Sequence, residues 1–155
     1  MGYVFECKIT RTGEIMADIK VNIGDVESGK TYSVEISEKA SGSMISSLVG
    51  RKINDEVDGR FVGLPGYRLL ITGGSDKDGF PMRGDLSGPV RRRLLLSRGI
   101  GVRPKKKGIR KKKMIRGNQI SPDIVQINMK VKQMGPKPIP DLIKEFTEQQ
   151  SKKLE

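Results

Sequence analysis

The sequence contains no histidine and no tryptophan, one cysteine, 4 Phe and 3 Tyr. Without histidine the commonest acid–base side chain is missing, and every His-containing metal site is excluded. Cys7, standing alone, excludes an intrachain disulfide and suits a reducing compartment. No apolar run approaches the ~20 residues of a membrane span. Residues 1–15 (MGYVFECKITRTGEI) have no apolar core of the kind a secretory signal needs. Hydrophobic residues make up 35% of the 155, enough for one modest core and short of a large one.

Acidic residues are scarce in one place only. The chain has 30 Lys+Arg against 18 Asp+Glu, a formal charge of +12. From Arg83 to Arg116 there are 14 Lys/Arg and a single acid, Asp85; the remainder is nearly balanced, with 16 cations and 17 acids. A block of like charge repels itself unless a polyanion neutralises it, and ordinary solvated faces mix the two signs. The stretch therefore points to a polyanionic partner.

Alternation marks the strands. Ile19, Val21 and Ile23 alternate with polar residues in Asp18–Gly24, as do Tyr32, Val34 and Ile36 in Lys30–Ser37, and the turn sequence between them predicts a hairpin. Ser41–Val49 suits a short helix, and Asp55–Leu64 is irregular or weakly extended. Tyr67–Thr72 reads as a strand followed by a polar, Gly-rich loop over Gly73–Pro89. Val90–Leu96 and Asp123–Val131 are further strands, and Met114–Ile120 suits an extended segment. Ser97–Gly117 is low-complexity basic sequence expected to hold little structure without a partner. Pro136, Pro138 and Pro140 stiffen a linker into a C-terminal helix with Asp141 in its first turn. Short strands and close turns predict a mainly β protein: a small antiparallel β-barrel with a basic extended arm and a short C-terminal helix. The expected organisation is an N-terminal extension over 1–15, a body over 16–139 that includes the arm 97–117, and a C-terminal helix or tail over 140–155.

Three motifs suggest other chemistry. Gly24–Thr31 (GDVESGKT) matches the phosphate-loop pattern, but that motif works as strand, loop, helix, and here an alternating strand follows Thr31. Asp25 and Glu27 would also repel a phosphate, so a hairpin turn is the better reading. Gly63–Gly66 (GLPG) matches a nucleotide-clamping loop that joins two helices, yet a strand follows it. Asp76, Asp78 and Asp85 could hold a metal or act as an acid–base pair, but they are also ordinary turn formers. With no nucleophile–base arrangement, the expectation is no enzyme, no cofactor, no metal and no small-molecule substrate.

The strong signal is the basic stretch. Lys77, Arg83, Arg91, Arg92, Arg93, Arg98, Arg103, Lys105, Lys106, Lys107, Arg110, Lys111, Lys112, Lys113 and Arg116 are the candidate RNA-binding residues. No aromatic residue lies between Arg83 and Arg116, so phosphate contact and Arg stacking, in place of aromatic platforms, would carry binding. Membrane binding is disfavoured because the arm has no amphipathic stripe.

Ile71–Met82 (ITGGSDKDGFPM), followed by VRRRLLLSRGIGVRP over 90–104 and KKMIRGNQISPDIVQINMKV over 112–131, resembles the S-six-e family of archaeal and eukaryotic small-subunit ribosomal proteins. The family signature fits at every position, through Gly73, Gly74, Asp76, Gly79, Pro81 and Met82, with Phe80 beside them. The resemblance runs from about Met16 to about Ile139. It implies a small β-barrel with a basic extension, and a structural role in the small ribosomal subunit. The expected partners are small-subunit ribosomal RNA and neighbouring ribosomal proteins, in the cytoplasm. A free nucleic-acid-binding regulator is the alternative. Within the loop, Gly73 and Gly74 would let the chain leave the strand sharply, Asp76 would cap the loop, Lys77 would face a phosphate, and Phe80-Pro81-Met82 would pin the loop to the barrel. The eukaryotic members carry a long phosphorylated Arg/Ser-rich tail; only Ser151 lies near Glu155, so the likeness is to the short archaeal form and that regulation is not expected. Residues 1–15 fall outside the resemblance, and Met16-Ala17 offers an internal start.

Overall fold

The alternation of apolar and polar residues becomes sheet over most of its length. The computed structural model describes residues 19–36, 45–104, 106 and 108–154. The expected extension at 1–15 with Cys7, residues 41–44 of the helix expected at 41–49, and Lys105 and Lys107 lie outside the described residues. β1 (Ile19–Gly24) and β2 (Thr31–Ile36) form the expected hairpin, with Val21 opposite Val34 and Ile23 opposite Tyr32. Its turn is closed by Asp25 N–H to Lys30 O at 2.9 Å and Gly29 N–H to Asp25 O at 3.1 Å. The Asp25 carboxylate accepts from the Ser28 hydroxyl and the Glu27 amide, and the Ser28 bond holds it below the usual aspartate range. GDVESGKT is therefore a turn whose polar groups satisfy one another, and Thr31 begins a strand.

β3 (Glu56–Asp58), a 3-10 turn (Gly59–Val62), β4 (Arg68–Asp76), β5 (Arg91–Leu96), β6 (Lys111–Arg116), β7 (Ile124–Gln133) and α1 (Ile139–Leu154) follow. Gly63 ends the 3-10 turn at φ 79°, so GLPG is a turn feeding a strand. Five strands form one sheet in the order β2-β1-β7-β4-β3, while β5 and β6 make a separate two-stranded ribbon.

The expected antiparallel barrel is not what forms. β1 lies parallel to β7, and among the described residues no pairing joins β2 to β3, so the sheet is open and mixed. β5, which could have been a further stave, is paired with β6 instead, and β3 is only three residues long. The inner face contributes Ile19, Val21, Ile23, Leu69, Ile71, Ile127 and Met129 to one core. Ile45 and Leu48, from helical residues 45–48, and Ile139 and Leu142 of α1 complete it. α1 is tied down from both sides: the Tyr67 hydroxyl donates to Lys137 O at 2.5 Å, and Phe146 occupies the space a side chain at Gly63 would need. Burying so many branched aliphatic side chains, at about 1.5–3 kcal/mol each, is the main stabilisation of the body.

Two further expectations change. The strand predicted to end at Thr72 continues through Gly73 and Gly74 to Asp76, with register shifts between Ile71 and Gly73 and between Ser75 and Asp76. A side chain at Gly74 would overlap Gln126 O, so the glycine lets β7 lie close rather than turning the chain away. The arm expected to be unstructured holds a regular strand, because Lys111–Arg116 finds a complete antiparallel partner in Arg91–Leu96.

Candidate nucleic-acid interface

The ribbon could stand apart from the body; a buried carboxylate keeps it attached. Asp76, at the end of β4, has a side chain with 0% exposure. It accepts from Arg91 Nε and Nη2, each at 2.6 Å, and from Arg116 Nη1, while its other oxygen takes the Lys77 amide at 2.6 Å. Arg91 opens β5 and Arg116 closes β6, and the two are cross-strand partners. One carboxylate thus holds both strands of the ribbon at their base. Burial on its own would raise the Asp76 pKa; the hydrogen bonds from Arg91 and Arg116 outweigh it and hold the group below the usual range.

The network extends on both sides. Arg116 continues to the Ser121 hydroxyl and to Asp123 at 2.8 Å, and Asp123 also faces Lys77 Nζ at 3.5 Å. Arg116's hydrogen bond keeps the Asp123 carboxyl low. Arg91 also meets Asp78 at 2.6 Å and lies over the Phe80 ring, 5.4 Å from its centroid. Backbone bonds fasten the base further: Met82 N–H to Gly74 O at 2.9 Å, Arg116 N–H to Pro81 O at 3.0 Å, and Arg83 N–H to Arg116 O at 3.0 Å. Met82 is buried in the core. Asn118 stitches the loop beneath, giving its side chain to Gly84 O and taking Gly88 N–H, each at 3.2 Å.

The signature loop is therefore the ribbon's mounting. Gly79 closes a turn, its N–H bonded to Asp76 O at 2.8 Å. Gly73 and Gly74 lie in the strand, Asp76 does more than cap the loop, and Phe80, Pro81 and Met82 face the ribbon and the core. Lys77 points to Asp123. The three acids weighed as a metal or acid–base cluster are each paired with arginine, since Asp85 takes Arg83 at 2.6 Å. Among the described residues no group of three or more potential metal ligands is assembled.

The candidate RNA-binding residues separate into two sets. Lys77, Arg83, Arg91 and Arg116 are in ion pairs, and Arg116 is 3% exposed. Arg92, Arg93, Arg98, Arg103, Lys106, Arg110, Lys111, Lys112 and Lys113 are exposed and make no ion pair among the described residues. No acid lies between Asp85 and Asp123. Ser121, Asn118 and Asp123 were missed in the sequence. Asp123 had a signal: it is the first acid after the basic stretch.

This is a small β-sheet protein whose distinctive chemistry is all charge, an acid-free basic ribbon mounted through a buried ion relay on a body of nearly balanced charge with an apolar core. Residues 19–144 match the family model for ribosomal protein S6e, and the chain belongs to that family, one of ribosomal structural proteins and not of enzymes. It is 49% identical over 127 residues to the small ribosomal subunit protein eS6 of Methanocella arvoryzae, covering 82% of this chain and 87% of that protein. The protein of the same name from Archaeoglobus fulgidus is 46% identical over 132 residues, 84% of this chain and 99% of its own length. That of Thermoplasma acidophilum is 50% identical over 117 residues, 76% and 90% respectively.

Proposed function

We propose that the protein is a structural constituent of the small ribosomal subunit in the cytoplasm, and that it binds ribosomal RNA through the β5–β6 ribbon and its tip. The observation that carries this is the set of nine exposed cations with no acid among them. The sequence indicated fifteen binding residues. The proposal rests on the nine exposed ones together with Lys105 and Lys107. Arg116 is excluded by burial, and Lys77, Arg83 and Arg91 serve first as the mounting.

Phosphate contact by cations on a stiff ribbon loses less entropy than ordering a free arm, because β5 and β6 are already paired. Eleven such contacts would give a log–log salt slope near −8 to −10, from ~0.7–0.9 per phosphate. The experiment is a salt titration of binding to small-subunit ribosomal RNA, comparing wild type with Lys111, Lys112 and Lys113 all changed to Gln. The expected slope falls by about 2–3 in the variant. An unchanged slope, or binding that ignores salt, overturns the proposal. Recovery with free RNA or DNA and never with ribosomal particles would favour the free regulator.

A further inference from the structure

The tip of the ribbon is concave, which phosphate contact alone does not require. Ser97, Arg98, Val102, Arg103, Pro104 and Lys106 line a cavity of about 570 Å³, within the ~300–1,000 Å³ range of small-ligand sites. Among the described residues, three cations stand on its wall and no acid does. Val102 is 4% exposed and forms the buried floor of a tip that also carries the exposed side chains Ile100 and Ile109. The tip is also seated. Val102 N–H bonds Gly99 O at 3.0 Å, and a Cβ at Gly101, whose φ is 79°, would come within 2.9 Å of Pro81. The tip backbone therefore rests on the mounting loop, and only glycine allows that approach together with that φ.

A convex row of cations suffices to track a phosphate backbone. A hollow with an apolar surface and a cationic wall fits a flat, weakly polar body joined to an anion. Resting on the RNA-binding reading above, we propose that this cavity takes one unpaired RNA nucleotide, unstacked from its helix, with the base against Pro104 above the Val102 floor and its phosphate among Arg98, Arg103 and Lys106. A guanidinium can cover the base on its open side. The tip would thereby select a bulged or looped position, whereas the ribbon strands bind any phosphate path.

The test uses the full chain and two short RNA hairpins, identical except that one carries a single-nucleotide bulge holding a fluorescent purine analogue. Wild type is expected to bind the bulged hairpin at least about fivefold more tightly than the paired one, and the analogue's emission should change on binding. Ser97→Leu partly fills the hollow at an exposed position without altering charge, and should abolish the preference. Arg98→Ala with Arg103→Ala should reduce it, while Lys112→Ala should weaken both hairpins equally. Equal binding of both hairpins by wild type, or a preference surviving Ser97→Leu, overturns the proposal and leaves the RNA-binding reading standing. Failure to bind either hairpin refutes that broader reading as well. Adenosine monophosphate alone serves as a further arm: weaker than millimolar binding is expected, and micromolar binding would overturn the proposal in favour of a free-nucleotide site.

Discussion

Asp76→Asn tests the mounting of the ribbon. The substitution keeps the shape of a side chain with 0% exposure and removes its charge. Asp76 accepts on both oxygens, from two arginines on one and from the Lys77 amide on the other. An asparagine has a single acceptor oxygen, so in either flip its NH₂ faces an N–H donor. Removing one partner of a buried ion pair costs about 3–5 kcal/mol. Arg116 keeps Asp123 and Arg91 keeps Asp78, both half-exposed, which places the expected loss at the lower end, about 3 kcal/mol. With a urea dependence of about 2 kcal/mol per molar, the unfolding midpoint should fall by ~1.5 M. Amide exchange should rise across β5 and β6 more than across β1 and β7. Asp78→Asn, touching the same Arg91 from a half-exposed position, should cost under ~1 kcal/mol. Equal midpoint shifts for the two variants, with ribbon exchange unchanged, would refute the claim that Asp76 holds the ribbon.

The pH dependence has a definite sign. Asp76 and Asp123 titrate below the ordinary aspartate value of 3.8 when folded, so their stabilisation is complete above that value and is lost as pH falls through the folded values. The urea midpoint should therefore decline below about pH 4, and Asp76→Asn should flatten that decline; a decline starting near ~pH 6 would contradict the assignment. Gly117→Ala should destabilise by about 2 kcal/mol or more by thermal melting, because its Cβ would overlap Gly88 O, while Gly79→Ala has free space and should cost less despite its φ of 78°. An equal effect at the two glycines would show that the loop beneath the ribbon yields freely.

The strands that carry alternation were legible. Ile19–Val21–Ile23 places one face in the core, and so do Ile127 and Met129, although Ile124 is buried where the alternation pointed to Val125. The alternating strand that follows Thr31 told against the phosphate loop, and the turn is closed between Asp25 and Lys30. Pairing between distant strands was not legible: nothing local indicates that β1 and β7 run parallel, so barrel closure was expected where an open sheet forms. β6 was hidden by composition, since Lys111–Lys113 carries no alternation and its order comes from the partner strand and from Ile115 and Arg116 at the buried end. The roles of Asp76 and Asp123 were hidden for a related reason. An acid in a Gly-rich loop looks like a turn former until the fold brings Arg91, 15 residues on, and Arg116, 40 residues on, to its oxygens. The basic stretch was legible as a whole, but burial alone separates the cations that hold the fold from those that face outward.

Ultraviolet crosslinking of purified small ribosomal subunits, with the crosslinked peptides of this chain identified by mass spectrometry, tests the central claim most directly. Crosslinks to ribosomal RNA should concentrate between Arg92 and Lys113 and be absent from Arg116, which lies inside the relay. Crosslinks confined to the body, with the ribbon found only against other proteins, would contradict the claim that the ribbon's charge exists to meet RNA.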